Sequence, residues 1–326
     1  MRAFIFSGQG SQYAGMGKDL YDAFPEAKAA FGEADEVLGL PLSEIIFNDA
    51  EALNLTENTQ PAILAMSAAI ARILSINGVT AGFTGGLSLG EVTAYVFSGA
   101  MSYADGLRLT KARGRFMSET VPAGAGGMLA VMNAPPDAIT DIVEKAGQSG
   151  YIAVANYNSP AQTVLSGEAA AIEAARALVA AAGGRAVKLN TAWAFHSKMM
   201  ERASELFREE LERVRFTPGK LDIPVVSNIT GGFIRDAGEI PALMVAQIKS
   251  PVRWEACVRT LIAAGADEFV EIGPGKALTG FVRQIDKSVK AVNVENVKTL
   301  EAFLTASRKN IRNTAVGAAS GRPILG

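Results

Sequence analysis

The stretch Gly86-Leu-Ser-Leu-Gly90 follows an apolar run at 79–86 and precedes a helical pattern at 91–97. A Gly-x-Ser-x-Gly run can place its serine on a tight turn between a strand and a helix, because the glycines let the backbone bend there. The hydroxyl then stands clear of the sheet. The stretch therefore predicts a strand–turn–helix unit that presents Ser88 as a candidate nucleophile. A plain turn is the alternative, because all these residue types are common.

His196 is the only histidine among the 326 residues. A serine hydroxyl needs a base before it can act as a nucleophile at neutral pH. If Ser88 is activated by a histidine, His196 is the one candidate that the chain offers. The alternative is a structural histidine that takes no part in chemistry.

Composition and charge exclude several classes of protein. The formal net charge is −2, and acidic and basic residues are interspersed, so no basic face for nucleic acid or membrane lipid is expected. Cys257 is the single cysteine, which excludes an internal disulfide and makes a metal site unexpected. No segment approaches about 18 uninterrupted apolar residues, and the N-terminus lacks a signal-peptide pattern. We expect a cytoplasmic protein with no nucleic-acid, membrane or metal partner.

Most of the chain alternates short apolar runs with longer helical patterns. This alternation predicts an α/β fold in which helices pack against a sheet. The predicted strands of this part lie at 3–6, 222–227 and 268–272. The predicted helices lie at 59–78, 91–97 and 104–117.

The middle of the chain has a different order of elements. Strands are predicted at 127–132, 151–156, 161–166 and 185–191, and helices at 136–146 and 168–182. The order βαββαβ is the ferredoxin-like pattern. We therefore expect a ferredoxin-like small domain at 125–196, inserted into a large α/β domain at 1–124 and 197–309. Residues 310–326 lack apolar periodicity, and a flexible tail is expected there.

The predicted domain boundary gives His196 a meaningful location. It falls just after the last strand of the small domain, where the chain returns to the large one. A seam between domains is a common place for a ligand cleft.

Arg113 stands on the apolar face of the predicted helix 104–117. At 3.6 residues per turn, Leu109, Phe116 and Met117 share this face with it. A guanidinium in such a place needs an anion, because an unpaired buried charge is costly. An internal salt bridge to an Asp or Glu is one interpretation. The other interpretation is that Arg113 binds a substrate carboxylate through two hydrogen bonds, for which an arginine side chain is well suited.

A second glycine-containing loop, Gly8-Gln-Gly-Ser-Gln12, follows the first predicted strand. Its backbone amides can approach a ligand closely. The Gln9 amide could form an oxyanion hole together with the amide of Leu89, the residue after Ser88. A plain turn is again the alternative.

Several short motifs occur in one order along the chain: Gly8-Gln-Gly-Ser-Gln12, Thr59-Gln-Pro61, Gly86-Leu-Ser-Leu-Gly-Glu91, Arg113-Gly114 with Met117, Asn156-Tyr-Asn-Ser-Pro160 with Gln162, Ala194-Phe-His-Ser197, Pro251-Val-Arg-Trp254 and Gly273-Pro-Gly-Lys276. In this order and spacing, from Phe4 to about Phe303, the chain resembles the malonyl-CoA:acyl-carrier-protein transacylases. That family includes acyltransferase domains of polyketide synthases. The resemblance implies an α/β-hydrolase-like large domain with a ferredoxin-like insert.

The resemblance also implies roles for individual residues. Ser88 would be the nucleophile, His196 its base, the Gln9 and Leu89 amides the oxyanion hole, and Arg113 the ligand of the malonyl carboxylate. A backbone carbonyl near Ser250, rather than an acid, would orient the histidine. Further residues expected to line the site are Gln60, Asn158 and Phe195. The ring of Phe195 would crowd an α-branched acyl group and so favour malonyl.

The activity implied is transfer of a malonyl group from malonyl-CoA to the phosphopantetheine thiol of an acyl carrier protein through a malonyl-serine intermediate. No cofactor is needed. One alternative is an acyl-thioester hydrolase on the same scaffold, which would not need a carboxylate clamp. An ordinary α/β-hydrolase would also carry its histidine late in the chain, after an acid. Another alternative is a carrier-binding module with a decayed site, which the retained Ser88, His196 and Arg113 disfavour.

Overall fold

The structure is a computed structural model, and it describes residues 1–217, 219 and 221–319. In this part of the chain the first sheet is entirely parallel, with the order β2-β1-β7-β8. Its strands are β1 (Arg2–Phe6), β2 (Phe83–Gly86), β7 (Glu268–Ile272) and β8 (Lys290–Val294). The predicted strands 3–6 and 268–272 are thereby confirmed, whereas β8 was not predicted.

Helices cover both faces of the parallel sheet. The bounds are α1 (Lys18–Ala23), α2 (Pro25–Leu38), α3 (Leu42–Asn48), α4 (Ala50–Leu53), α5 (Thr56–Ile76), α6 (Leu89–Phe97), α7 (Tyr103–Glu119), α10 (Glu201–Leu211), α11 (Ile240–Lys249), α12 (Trp254–Ala263), α13 (Ala277–Ile285) and α14 (Val297–Ala319). Strand β1 shows why both faces are covered. Phe4 and Phe6 belong to one apolar cluster, and Ala3 and Ile5 belong to the other. Because side chains alternate along a strand, the central strand is buried on both sides.

The second sheet is antiparallel and has the order β4-β5-β3-β6. Its strands are β3 (Gly126–Met132), β4 (Ile152–Ser159), β5 (Gln162–Glu168) and β6 (Arg185–Lys188), and its helices are α8 (Pro136–Ala146) and α9 (Ala169–Ala181). This confirms the predicted order of elements. The sheet and its helices share an apolar cluster of their own, which includes Leu129, Leu165 and Ile172. Strand β4 is tied to the rest of the protein where the Tyr157 amide donates to the Val252 carbonyl at 2.9 Å.

The predicted strand at 222–227 is wrong. Only two isolated bridges form there, between Val225 and Thr84 and between Val226 and Phe233. Pro224 has no backbone N–H, although its carbonyl accepts a hydrogen bond from Thr84 N at 2.9 Å. The segment therefore touches the edge of the parallel sheet without forming a regular strand.

Helix α5 is the one described helix that is long and apolar enough to cross a membrane. Within the protein, 72% of its apolar window is buried, as in the core helix of a soluble protein. At the other end of the chain, residues 310–319 belong to helix α14. The remainder of the predicted flexible tail, 320–326, lies outside the described residues.

Candidate active site

Ser88 lies on the turn between β2 and α6, as the Gly-x-Ser-x-Gly motif predicts. Its backbone has φ 54° and ψ −102°, a region that residues other than glycine rarely occupy. Such strain persists only where the surrounding structure enforces it, and it is concentrated at functional sites. The turn points the hydroxyl toward His196 and Arg113.

The flanking glycines are required by close packing. A Cβ atom on Gly90 would lie 2.0 Å from the Phe6 carbonyl oxygen, and one on Gly86 would lie 2.0 Å from the Gly90 carbonyl carbon. Real side-chain atoms do not approach backbone so closely, so any larger residue would displace the turn. The glycines thus seat the turn directly on the end of β1.

His196 accepts a hydrogen bond from the Ser88 hydroxyl. The two hydrogen-bond partners of the ring fix which of its nitrogens carries the proton. Its Nδ1 lies 2.8 Å from the Gln247 carbonyl oxygen, and its Nε2 lies 2.7 Å from Ser88 Oγ. A carbonyl oxygen can only accept, so Nδ1 carries the proton and Nε2 is free to receive the serine proton. His196 also has a positive φ, 57°. The orienting carbonyl is therefore that of Gln247, not of Ser250 as predicted, although the Ser250 backbone also raises the pKa of the ring.

The imidazole of His196 is held neutral. Burial, and secondly the positive charge of Arg113, lower its pKa to about 4, against an ordinary value near 6.5. A ring with this pKa is unprotonated at neutral pH. It is therefore in the form that can act as a base.

Arg113 is buried beside the nucleophile, and only 2% of its surface is exposed. Its Nη2 donates to Ser88 Oγ and to Gln247 Oε1, both at 3.0 Å, and its Nη1 donates to Gln60 Oε1 at 2.9 Å. All three acceptors are neutral, so the internal salt bridge is not found among the described residues. Burial lowers the pKa of the guanidinium to about 10, which still leaves it charged at neutral pH. The site therefore holds a cation without a contacting anion.

The two segments that carry the predicted oxyanion-hole residues pack against each other. Leu89 begins α6, and no described group accepts a hydrogen bond from its amide or from that of Gln9. The glycine loop of Gln9 packs on the serine turn, since a Cβ on Gly8 would lie 2.5 Å from the Leu87 carbonyl oxygen. The side chain of Gln9 accepts from Gln60 Nε2 at 3.3 Å, which links the loop to the amide that receives Arg113.

Three other predicted residues lie around this centre in different ways. Phe195, directly before His196, is buried and stacks on Trp193 with ring centroids 6.0 Å apart. Asn158 donates to Gln162 at 2.9 Å, and no hydrogen bond within the described residues joins it to Ser88, His196 or Arg113. Ser250 directly follows α11 and contributes its backbone rather than its side chain.

Three functional side chains were missed by the sequence analysis. Asn228 accepts from the Ser88 amide at 2.7 Å and donates to the Gly86 carbonyl at 2.9 Å, so it clamps the serine turn from inside. Gln247 supports both His196 and Arg113, and Glu91 accepts from Gln247. Of the three, only Glu91 belongs to one of the sequence motifs, where it directly follows Gly90, and no role was predicted for it. No cluster suited to a metal ion occurs within the residues described.

Comparison with known proteins gives one consistent result. A family model described as an acyl transferase domain matches residues 3–316. The malonyl CoA-acyl carrier protein transacylase of Bacillus subtilis (strain 168) is 41% identical over 312 residues, which cover 94% of this chain and 98% of the relative.

Solved structures agree with the sequence matches. The malonyl CoA-acyl carrier protein transacylase from Clostridium perfringens aligns with a TM-score of 0.91 and 42% identity, over 98% of this chain and 99% of the other. A type II PKS acyl-carrier protein in complex with its malonyl-transacylase gives a TM-score of 0.90 and 35% identity, over 94% of this chain and 99% of the other. The chain therefore belongs to the acyl transferase domain family, among the malonyl CoA-acyl carrier protein transacylases.

Proposed function

We propose that this chain transfers a malonyl group from malonyl-CoA to the phosphopantetheine thiol of an acyl carrier protein. The observation that carries the proposal is the buried guanidinium of Arg113, which contacts Ser88 Oγ and has no contacting carboxylate among the described residues. An acyl group that brings its own carboxylate would supply the missing anion. The relatives named above support the same donor and acceptor.

In the first half-reaction, Ser88 Oγ attacks the thioester carbonyl while His196 Nε2 takes the hydroxyl proton. The amides of Gln9 and Leu89 donate to the oxyanion that develops, a contribution of roughly 3 kcal/mol for each donor in other enzymes. The tetrahedral intermediate then expels the coenzyme A sulfur, which receives the proton from His196. A malonyl ester of Ser88 remains.

In the second half-reaction, the carrier-protein thiol gives its proton to His196 and its sulfur attacks the ester carbonyl. Collapse of the second tetrahedral intermediate restores Ser88 Oγ, which recovers the proton from His196. Arg113 keeps the acyl carboxylate in place through both halves. His196 relays the serine and thiol protons, and the Gln9 and Leu89 amides stabilise both oxyanions, so the steps as proposed use no cofactor.

The architecture suits this reaction. We infer that the part with the parallel sheet, 1–124 with 197–309, is an α/β-hydrolase-like domain, and that 125–196 is its ferredoxin-like insert. The order β4-β5-β3-β6 with two packed helices supports the second assignment. We also infer a cytoplasmic location, where malonyl-CoA and carrier protein would be met. Phe195, which directly precedes His196 and stacks on Trp193, is proposed to disfavour α-branched acyl groups.

The experiment is intact-mass analysis of the purified protein after incubation with malonyl-CoA. We expect a malonyl ester that is absent from Ser88→Ala and is discharged by holo-carrier protein. Discharge to water at the same rate with and without carrier protein would instead identify a thioester hydrolase. Failure of the folded wild-type protein to form any adduct would refute the proposal.

A further inference from the structure

Glu91 is a buried acid that the proposed reaction does not use. It follows the serine turn on α6, with only 1% of its surface exposed. Its Oε1 accepts from the Tyr95 hydroxyl at 2.5 Å and from the Asn228 amide at 3.3 Å, and its Oε2 accepts from Gln247 Nε2. No cation contacts this carboxylate within the described residues. Burial of an acid without a cation costs free energy, so a reason is needed for Glu91 to lie here.

Two acceptors set which way the Gln247 amide points: the ionised carboxylate of Glu91 and the Ser88 backbone carbonyl, to which Nε2 also donates at 3.1 Å. A carboxylate only accepts hydrogen bonds, so the NH₂ group of Gln247 must face Glu91. Its oxygen then faces Arg113 Nη2 at 3.0 Å. The reversed amide would place oxygen against a carboxylate and NH₂ against a guanidinium, two repulsive contacts in a buried site.

The Gln247 amide lies between two buried ionisable groups. Arg113 is a cation, whereas burial raises the pKa of Glu91 to about 7, so its carboxyl group is partly ionised near neutral pH. Among the described residues, Gln247 is the side chain that hydrogen-bonds to both. Burial lowers the pKa of Arg113, and the charge of Glu91 acts in the opposite direction. The network therefore provides an electrostatic reason for a guanidinium to stay charged where no anion touches it.

We propose that Glu91 is a positioning residue, whose carboxylate fixes the Gln247 amide and so holds the Arg113 guanidinium ready for the acyl carboxylate. This inference rests on the proposed function. Gln247 then has two separate tasks, one for its backbone and one for its side chain. The backbone carbonyl orients His196 whichever way the amide points, whereas the side chain serves only Arg113 and the serine turn. Loss of Glu91 should therefore impair recognition of a charged acyl group more than the reactivity of Ser88.

The first test is Glu91→Gln. If the new oxygen accepts from Tyr95 and Asn228, the new NH₂ faces the NH₂ of Gln247 and opposes the amide orientation that the Ser88 carbonyl still favours. We expect the malonyl-CoA loading rate at subsaturating substrate to fall about 10- to 100-fold, the worth of a hydrogen bond to a charged group. Inactivation of Ser88 by a neutral sulfonyl fluoride should stay near the wild-type rate.

Glu271→Gln is the matched control. Glu271 is also 1% exposed and accepts from the backbone amides of Leu278 and Thr279, away from Arg113. This variant should keep the wild-type ratio of the two rates. If Glu91→Gln lowers malonyl loading and sulfonyl fluoride inactivation in parallel, or lowers neither, the inference is overturned.

A second variant covers the case in which Glu91→Gln does not fold. Gln247→Met removes the amide and keeps the backbone carbonyl, so it should show the same selective loss of malonyl loading. In the double variant, Glu91→Gln should cause no further loss, because its effect passes through the missing amide. The inference would be contradicted if the losses of the two single variants multiplied in the double variant. It would also be contradicted if Gln247→Met loaded malonyl normally. Absence of malonyl loading by the wild type would instead refute the proposed function.

Discussion

Replacement of Arg113 by alanine is the sharpest test of acyl selectivity. Three of the five N–H groups of Arg113 donate hydrogen bonds to Gln60, Ser88 and Gln247. The remaining donors, and those that a substrate can displace, are available for a carboxylate. Two hydrogen bonds to a charged group contribute about 3–6 kcal/mol together, so malonyl loading should fall about 10²- to 10⁴-fold.

The assay compares two acyl donors on the same preparation. Wild type and Arg113→Ala are mixed with malonyl-CoA or with acetyl-CoA, and the adduct on Ser88 is followed by intact mass against time. Acetyl has no carboxylate to lose, so its loading should persist or rise. Removal of the positive charge beside His196 also raises the pKa of the ring, so in the acidic range less of the imidazole is in the neutral form that can act as a base.

Arg113→Lys is the control for charge. A lysine keeps the positive charge but offers a point charge in place of a planar pair of donors, so loading of malonyl should be intermediate. Thermal melting of each variant checks that the fold is retained. The reasoning is refuted if Arg113→Ala loads malonyl at the wild-type rate, or if malonyl and acetyl loading decline by the same factor.

Three further outcomes are expected. The rate at which a sulfonyl fluoride inactivates Ser88 should fall only as pH drops through about 4, because the lowered pKa keeps His196 neutral above that value, and a midpoint near 6.5 would contradict the assignment. Asn228→Ala strands a buried donor and a buried acceptor of the serine turn, so the free energy of unfolding should decrease by about 2–6 kcal/mol, measured by denaturant titration; an unchanged midpoint would show that the clamp is dispensable. Gly90→Ala would place a methyl group 2.0 Å from the Phe6 carbonyl oxygen, and a loss of roughly 3 kcal/mol with little remaining activity is expected, while Gly280→Ala, with open space at its Cβ, serves as the tolerant comparison.

Local patterns predicted local features well. The helical spacing that placed Arg113 on an apolar face is confirmed, because helix periodicity depends on neighbouring residues alone. The serine turn is confirmed for the same reason. Segment 222–227 was misjudged because an apolar run of strand length does not reveal whether a partner strand lies beside it. Strand β8, at the edge of the parallel sheet, was missed because its apolar run is short, with Lys290 at its start and Asn293 within it.

The parts of the site that escaped prediction depend on distant contacts. Gln247 is 159 residues from Ser88 and 51 from His196, and nothing in its own surroundings distinguishes it from a glutamine of a surface helix. Its carbonyl, rather than that of Ser250, faces the histidine because of how α11 ends against the loop of His196. Which of two nearby carbonyls faces the histidine depends on tertiary packing, and no local sequence pattern indicates it.

The arrangement of the two sheets has a consequence for synthesis on the ribosome. Strand β1 spans Arg2–Phe6, yet its neighbour β7 is completed only at Ile272, so the pairing of these two strands must wait until about 270 further residues have been synthesised. The antiparallel sheet uses only residues between Gly126 and Lys188 and has its own apolar cluster. Its contacts are short in sequence, and we expect it to fold while the rest of the chain is still emerging. The Phe4 and Phe6 face can pack early, since both rings contact Phe97. The Ala3 and Ile5 face would stay exposed for longer, because the other buried residues of its cluster begin at Val226, and this face makes the nascent strand a natural client for a chaperone that binds extended apolar segments.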